Sequence, residues 1–215
     1  MRTFMPAIFQ PTIRRVALLL TPLLVAACAT SQSPRTPPAQ IEIQEAVGFT
    51  ITEQARISSD VRMDYDRAIG SLERGELEQG IEILEAIVEV SPGLAAPRVD
   101  LGIAYHLAGD LEAAEKHLLF ALESNPSHPI AHNEIGIVYR KTGRFAAAKR
   151  SYEAALTIYP GYHFARRNLA ILCDLYLADL DCALRNYEAY MATVKSDDEA
   201  SMWITDIRNR MEQGR

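Results

Sequence analysis

The sequence predicts an all-α fold, a solenoid of about four helix-turn-helix units closed by one further helix. Three observations carry that expectation. One 34-residue pattern is written twice, over 95–128 and 129–162, and a fixed period of roughly 20–50 residues marks a repeat architecture. Weaker copies flank it, over 61–94 and 163–195. A last amphipathic stretch, 196–215, repeats nothing and carries the caps of a helix. With 48% hydrophobic and 23% charged residues, the 215-residue chain suits one domain with a core, plus a short targeting segment.

In chain order, residues 1–27 read as an export signal. Arg14 and Arg15 precede a mostly apolar run of 12 residues, 16–27. That is short of the roughly 20 residues needed to cross a hydrocarbon core. A basic start, a short apolar run and small residues at its end describe a secretory signal peptide. The end, Val25-Ala26-Ala27-Cys28, resembles the bacterial lipobox. The resemblance implies cleavage before Cys28, a diacylglycerol thioether on its sulfur and an N-linked acyl chain such as palmitate. With that many acyl chains the anchor is stable. Ala29 follows the cysteine where an Asp would retain the chain at the inner membrane. By resemblance to Gram-negative lipoproteins, the destination is the periplasmic face of the outer membrane. The alternative is an ordinary signal peptide and a soluble periplasmic protein. Residues 28–40 are Pro- and Ser-rich, cannot bury a core, and read as a tether of about 35–40 Å at ~3.1 Å per residue.

Residues 41–60 are expected to be an extended or disordered arm. Ile41, Ile43, Val47, Phe49 and Ile51 alternate with mostly polar or small residues, as in a strand. No second strand pattern follows to pair with it, and a lone strand is unstable. The arm is then either disordered or laid along the domain surface, its own groove included.

The two clear units match at fixed offsets. Gly102 pairs with Gly136, Tyr105 with Tyr139, Gly109 with Gly143, Ala114 with Ala148, Ala121 with Ala155 and Pro126 with Pro160. Small residues let two helices approach, Gly supplies the turn between them, and Pro ends the unit. In 61–94 the frame keeps Ala68, Gly75, Leu84 and Pro92 but has Arg67 and Ser71 in the first helix and Gly80 for the packing Ala. Terminal repeats are often atypical in this way. Ser58, Ser59 and Asp60 are the candidate caps of its first helix. In 163–195, Leu169 and Ala170 keep the frame, one residue is inserted after Cys173, Ala178 replaces the turn Gly, and Ala183, Tyr187 and Tyr190 resume the pattern shifted by one. In 196–215, Ser196 to Glu199 reads as a capping box. Ala200, Trp203, Ile204, Ile207 and Met211 form one apolar face, with Trp203 read as packing.

These spacings resemble the tetratricopeptide repeat (TPR), whose small residue stands at unit position 8, aromatic at 11, Gly at 15, Ala at 20, bulky residue at 24, Ala at 27 and Pro at 32. Leu118 and Tyr152 fill position 24. The resemblance implies a right-handed solenoid, a closing helix over the last unit, and a protein-binding scaffold without cofactor. It also implies that positions 2, 5, 9 and 12 of each first helix line a concave groove. Position 9 is Ile69, Ile103, Ile137 and Ile171, flanked by Tyr65, His106, Asn133, Arg140, Arg167 and Asp174. An apolar strip there suits an extended or helical peptide; the alternative is that these residues pack helix on helix. Ile at all four positions departs from the carboxylate-clamp TPR pattern, which has Asn at one of them.

Cys173 and Cys182 are left as a pair in an exported chain. They would face each other across a helix-turn-helix and bridge if their Cα atoms lie within about 7 Å; the alternative is two buried thiols. Cys-x-x-Cys is lacking, which argues against a redox role.

Net charge is −6, and losing Arg2, Arg14 and Arg15 takes it to −9. An acidic chain argues against nucleic-acid binding. Residues 129–168 nonetheless carry seven bases (Arg140, Lys141, Arg144, Lys149, Arg150, Arg166 and Arg167) against Glu134 and Glu153. Such runs are usually solvated faces, yet this one would steer an acidic partner. No phosphate loop, nucleophile motif or metal-ligand cluster stands out, so neither an enzyme, a metal site nor a small-molecule substrate is expected. His128 and His132 are separated by a helix-starting Pro129. The expected function is a lipid-anchored adaptor for an unidentified protein or peptide partner of the cell envelope, assisting assembly or localisation of an envelope machine. In architecture it is similar to the outer-membrane lipoproteins of pilus assembly, and to TPR partners of energy-transducing and cell-wall-hydrolase systems. A structural homo-oligomer, or an accessory that positions a peptidoglycan hydrolase or protease, are the other readings.

Overall fold

The computed structural model describes residues 40–44, 48–52, 57–194 and 196–214. The signal peptide, Cys28 and the tether through residue 39 fall outside the described residues. Two short strands come first, β1 (Gln40–Gln44) and β2 (Gly48–Thr52), paired antiparallel with Ile41 opposite Ile51 and Ile43 opposite Phe49. This corrects the expectation of a strand without a partner. The arm supplies its own partner by folding back on itself.

The rest is helix. Four pairs follow in order: α1 (Ser59–Glu73) with α2 (Leu77–Val90), α3 (Ala95–Ala108) with α4 (Leu111–Ser124), α5 (Pro129–Lys141) with α6 (Phe145–Ile158), and α7 (His163–Leu175) with α8 (Leu180–Thr193). A last helix, α9 (Asp198–Gln213), packs on α8. Each pair packs on the next, as a repeat stack requires.

Two kinds of glycine set the pair geometry. Gly102 and Gly136 are buried at position 8, where an added Cβ would lie 2.5 Å from Leu118 and 2.6 Å from Tyr152. The bulky side chain at position 24 therefore rests directly on the backbone of the partner helix. In the first unit the roles are exchanged. Ala68 stands at position 8, and it is Gly80 on α2 that makes room, its Cβ position lying 2.3 Å from Leu72. Turn glycines Gly75, Gly109 and Gly143 have open space around them but adopt φ of 78°, 88° and 76°. Their reason is conformation rather than room. In the fourth unit the left-handed residue is Ala178, with φ 51°.

Among the described residues the core falls into three clusters along the stack. Leu84, Ile87 and Leu101 are buried in the first, Leu118, Ile135 and Val138 in the second, and Tyr152, Leu172, Tyr187 and Ile207 in the third, which runs from α6 to α9. Ser58 caps α1, its Oγ accepting from the Val61 amide at 3.2 Å. The cap of α9 is Asp197, not Ser196 as the capping box would have it. Asp197 Oδ1 accepts from the Ala200 amide at 2.9 Å, and its Oδ2 accepts from the Tyr190 hydroxyl at 2.7 Å. The second bond decides the register, because it ties the start of the closing helix to the fourth unit.

Candidate peptide-binding groove

α5 lies against both α3 and α7, so first helices of successive units form a row. Along it Ile69, Ile103, Ile137 and Ile171 are all half-buried, with Ile103, Ile137 and Ile171 packed against the core on one side. A helix residue one turn from the core edge adopts this partial burial when its row faces open space.

The polar residues of the row are mostly tied across units. Tyr65 donates its hydroxyl to Asp100 Oδ2 at 2.5 Å. Asn168 Nδ2 donates to Asn133 Oδ1 at 2.9 Å, and Asn133 Nδ2 donates to Glu134 Oε1 at 2.9 Å. Asn133 is 2% exposed, so it joins two units rather than lining an open surface as expected of it. Burial pushes the Glu134 carboxyl up, against the pull of the Asn133 bond. Arg167 pairs with Glu199 at 3.1 Å and lies 5.2 Å over the Trp203 ring. Asp174 is ion-paired with Arg210, its side chain only 7% exposed. Both residues were expected on the open groove, and both are occupied by α9. Physically, α9 takes the place of a fifth first helix and supplies the partners that the next unit would.

One place in the row is different. Arg140 on α5 is half-buried and has no carboxylate partner among the described residues; its Nη1 reaches the Tyr176 hydroxyl at 3.5 Å. The Nε2 of His106 is buried without a hydrogen-bond partner among the described residues, while the buried Tyr152 hydroxyl lies beside the Arg140 guanidinium. Burial, then the charges of Lys141 and Arg140, hold the His106 imidazole below its usual range. Burial pushes the Tyr152 hydroxyl up to about 12, with Arg140 pulling the other way.

A family model described as tetratricopeptide repeat matches residues 99–163. Among solved structures, the chain is similar to MamA from residue 41 onward of Desulfovibrio magneticus RS-1, with TM-score 0.65, 18% identity, and coverage of 73% of this chain and 88% of that one. It is similar to PilF of Pseudomonas aeruginosa at TM-score 0.65 and 19% identity, covering 71% and 69%. It is also similar to the first TPR of Spaghetti (RPAP3) bound to an HSP90 peptide, at TM-score 0.52 and 19% identity, covering 55% and 95%. No curated protein matches the chain. The helix pairs form a TPR solenoid.

The fourth TPR unit is closed by a disulfide between Cys173 and Cys182, whose Cα atoms are 5.8 Å apart. Of the two readings the cysteines allowed, the bridge is the one present. It spans the turn that carries Ala178 in the left-handed region. Trp203 packs on Tyr187, ring centroids 5.3 Å apart. His128 is a buried helix cap, its Nδ1 accepting from the Ala131 amide at 3.2 Å, while His132 Nε2 bonds the Pro126 carbonyl oxygen. The two imidazoles thus do separate structural work. The repeat frame gives Tyr152 only as the bulky residue of position 24 and says nothing of its hydroxyl. The signal was present: a Tyr at a position filled by Leu84 and Leu118 in other units brings a polar tip that has to be placed.

Proposed function

We propose that this chain is a non-enzymatic adaptor that takes a segment of another protein along the row of first helices. The observation that carries this reading is the line of half-buried isoleucines at 34-residue spacing on helices that adjoin. Apolar side chains left partly open at one recurrent place suit the apolar side of a bound peptide. The bound peptide in the RPAP3 domain supports the same reading by analogy of fold. We further propose that Cys28 is acylated and holds the array at the periplasmic face of the outer membrane, where it assists assembly or localisation of an envelope machine. The support for this is Val25-Ala26-Ala27-Cys28 after a short apolar run, together with a bridged cysteine pair suited to an oxidising compartment.

Two experiments test the reading. Mass spectrometry of the mature full-length protein should find Cys28 at the N-terminus carrying acyl chains, and Cys28→Ala should release the protein from the membrane. A pull-down comparing wild type with the double variant Ile103→Asp, Ile137→Asp should lose the partner; equal recovery from both places the binding surface elsewhere. Sedimentation that rises with concentration would favour the homo-oligomer instead.

A further inference from the structure

We infer that Cys173, Asp179 and Cys182, when the bridge between the cysteines is reduced, form a Zn2+ site that clips the turn from α7 to α8 in place of the disulfide. The inference stands apart from the groove reading. The Cys173 and Cys182 sulfurs and an Asp179 carboxylate oxygen all lie within 4.8 Å of one another. Ligand atoms gathered that closely need only small side-chain rotations to reach one ion at about 2.0–2.3 Å. The backbone holds the three together. The Asp179 amide donates to the Cys173 carbonyl oxygen at 2.9 Å, and the Cys182 amide donates to Asp179 Oδ1 at 2.9 Å. Asp179 is the cap of α8 and Cys182 stands three residues later, the two places of a helix start whose side chains meet.

The surroundings suit a metal. Thiolate sulfur with carboxylate oxygen is a donor set for Zn2+, and three protein ligands leave the fourth place of a tetrahedron to water. The buried Asn186 side chain donates to the Cys182 sulfur at 3.6 Å, a bond of the kind that orients a ligand from outside the coordination sphere. Lys149 lies 3.7 Å from Asp179 Oδ2. Two thiolates and a carboxylate exceed the charge of Zn2+ by one, and the Lys149 ammonium offsets that one. The cysteines are buried, while the Asp179 side chain is 40% exposed and gives the ion its entry side. The turn needs a clip in either state, because Ala178 adopts φ 51° where the other units have Gly. A dithiol opens the bridge in a balanced step: the S–S bond breaks, each sulfur keeps one hydrogen, and the dithiol leaves as its own disulfide. Zn2+ then displaces both protons to solvent. No metal site was expected from the sequence because Cys-x5-Asp-x2-Cys is not among the recognisable zinc spacings.

The test uses the full-length protein, reduced with dithiothreitol and freed of it under nitrogen, with Co2+ as a coloured substitute for Zn2+. One equivalent of Co2+ should give the near-ultraviolet thiolate-to-metal band and the visible bands of a tetrahedral site, and Zn2+ should bleach both. The non-reduced protein should show neither. Cys28→Ala should keep the bands, since Cys28 is the third cysteine of the chain. Cys173→Ser and Cys182→Ser should each lose them. Asp179→Asn keeps an acceptor for the Cys182 amide and should weaken Zn2+ binding at least tenfold in competition with a chelating dye. That variant carries the test if a serine variant loses its helical circular dichroism. The inference is overturned by a reduced protein without the bands, by bands that survive either serine substitution or vanish in Cys28→Ala, or by unchanged affinity in Asp179→Asn.

Discussion

Asn168 on α7 reaches back one unit to Asn133 on α5, donating to its Oδ1 at 2.9 Å, and Asn133 is buried. The same step of 35 residues joins Tyr65 to Asp100. These bonds hold successive units in register at places where apolar packing alone would allow sliding. In Asn168→Ala the Asn133 oxygen is left buried and unpaired, which should cost about 1–3 kcal/mol. Urea unfolding checks this, and a change below about 0.5 kcal/mol would show that the bond is incidental.

The two kinds of glycine should respond differently to alanine. Gly109→Ala meets no neighbour but forces a Cβ into φ 88°, so about 1–2 kcal/mol is expected. Gly102→Ala places a Cβ 2.5 Å from Leu118, and α3 must move off α4. A loss of about 2–3 kcal/mol is expected there, recovered in part by Leu118→Val. Equal losses at both glycines, unaffected by Leu118→Val, would contradict the packing account.

The bridge and the left-handed alanine act on one turn. Replacing Cys173 and Cys182 together by Ala should lower stability by about 2.5–3 kcal/mol, the loop-closure effect for so short a loop. Ala178→Gly in that background should return about 1 kcal/mol, because Gly adopts φ 51° freely. Thermal unfolding of the three proteins under non-reducing conditions decides the matter. No gain from Ala178→Gly would mean that the turn is not the weak element.

Acid should weaken the fold through His128. Burial holds its imidazole down to about 4, against about 6.5 in an unfolded chain. The folded state therefore refuses a proton that the unfolded state accepts. Stability from this residue is full above pH 6.5, falls as pH drops from about 6.5 to about 4, and amounts to at most about 3 kcal/mol. Glu134, whose carboxyl is pushed up, acts with the opposite sign and gains stability on protonation. His128→Asn retains an acceptor for the Ala131 amide and removes the titration. Its stability should be flatter between pH 6.5 and 4 than that of wild type; parallel curves would exclude His128 as the cause.

The helix pairs were legible because each unit repeats the residues that two close helices need, and Gly102 with Gly136 names the contact directly. The hairpin was not legible. Ile41, Ile43, Phe49 and Ile51 are all odd-numbered, so one strand and a strand folded back on itself give the same alternation. No Asn-Gly or Asp-Gly marked the reversal either. The α9 cap shifted by one residue because a contact distant in sequence, Tyr190 to Asp197, outweighed the local Ser196 motif. Arg167 and Asp174 could be placed on the row from the repeat frame, but their occupation by Glu199 and Arg210 could not. α9 carries no repeat signature that would set its register. The bridge was legible only as one of two options, since an inserted residue blurs the distance between the cysteines.

The central claim is that the row of first helices is where a partner sits. A photo-crosslinking amino acid placed at Ile137 in the full-length chain, in living cells, tests it most directly, with the same residue at exposed Lys116 on α4 as control. The account predicts a discrete adduct from position 137, absent from position 116 and lost when Ile103→Asp is added. Identical adducts from both positions, or an adduct indifferent to Ile103→Asp, would contradict it.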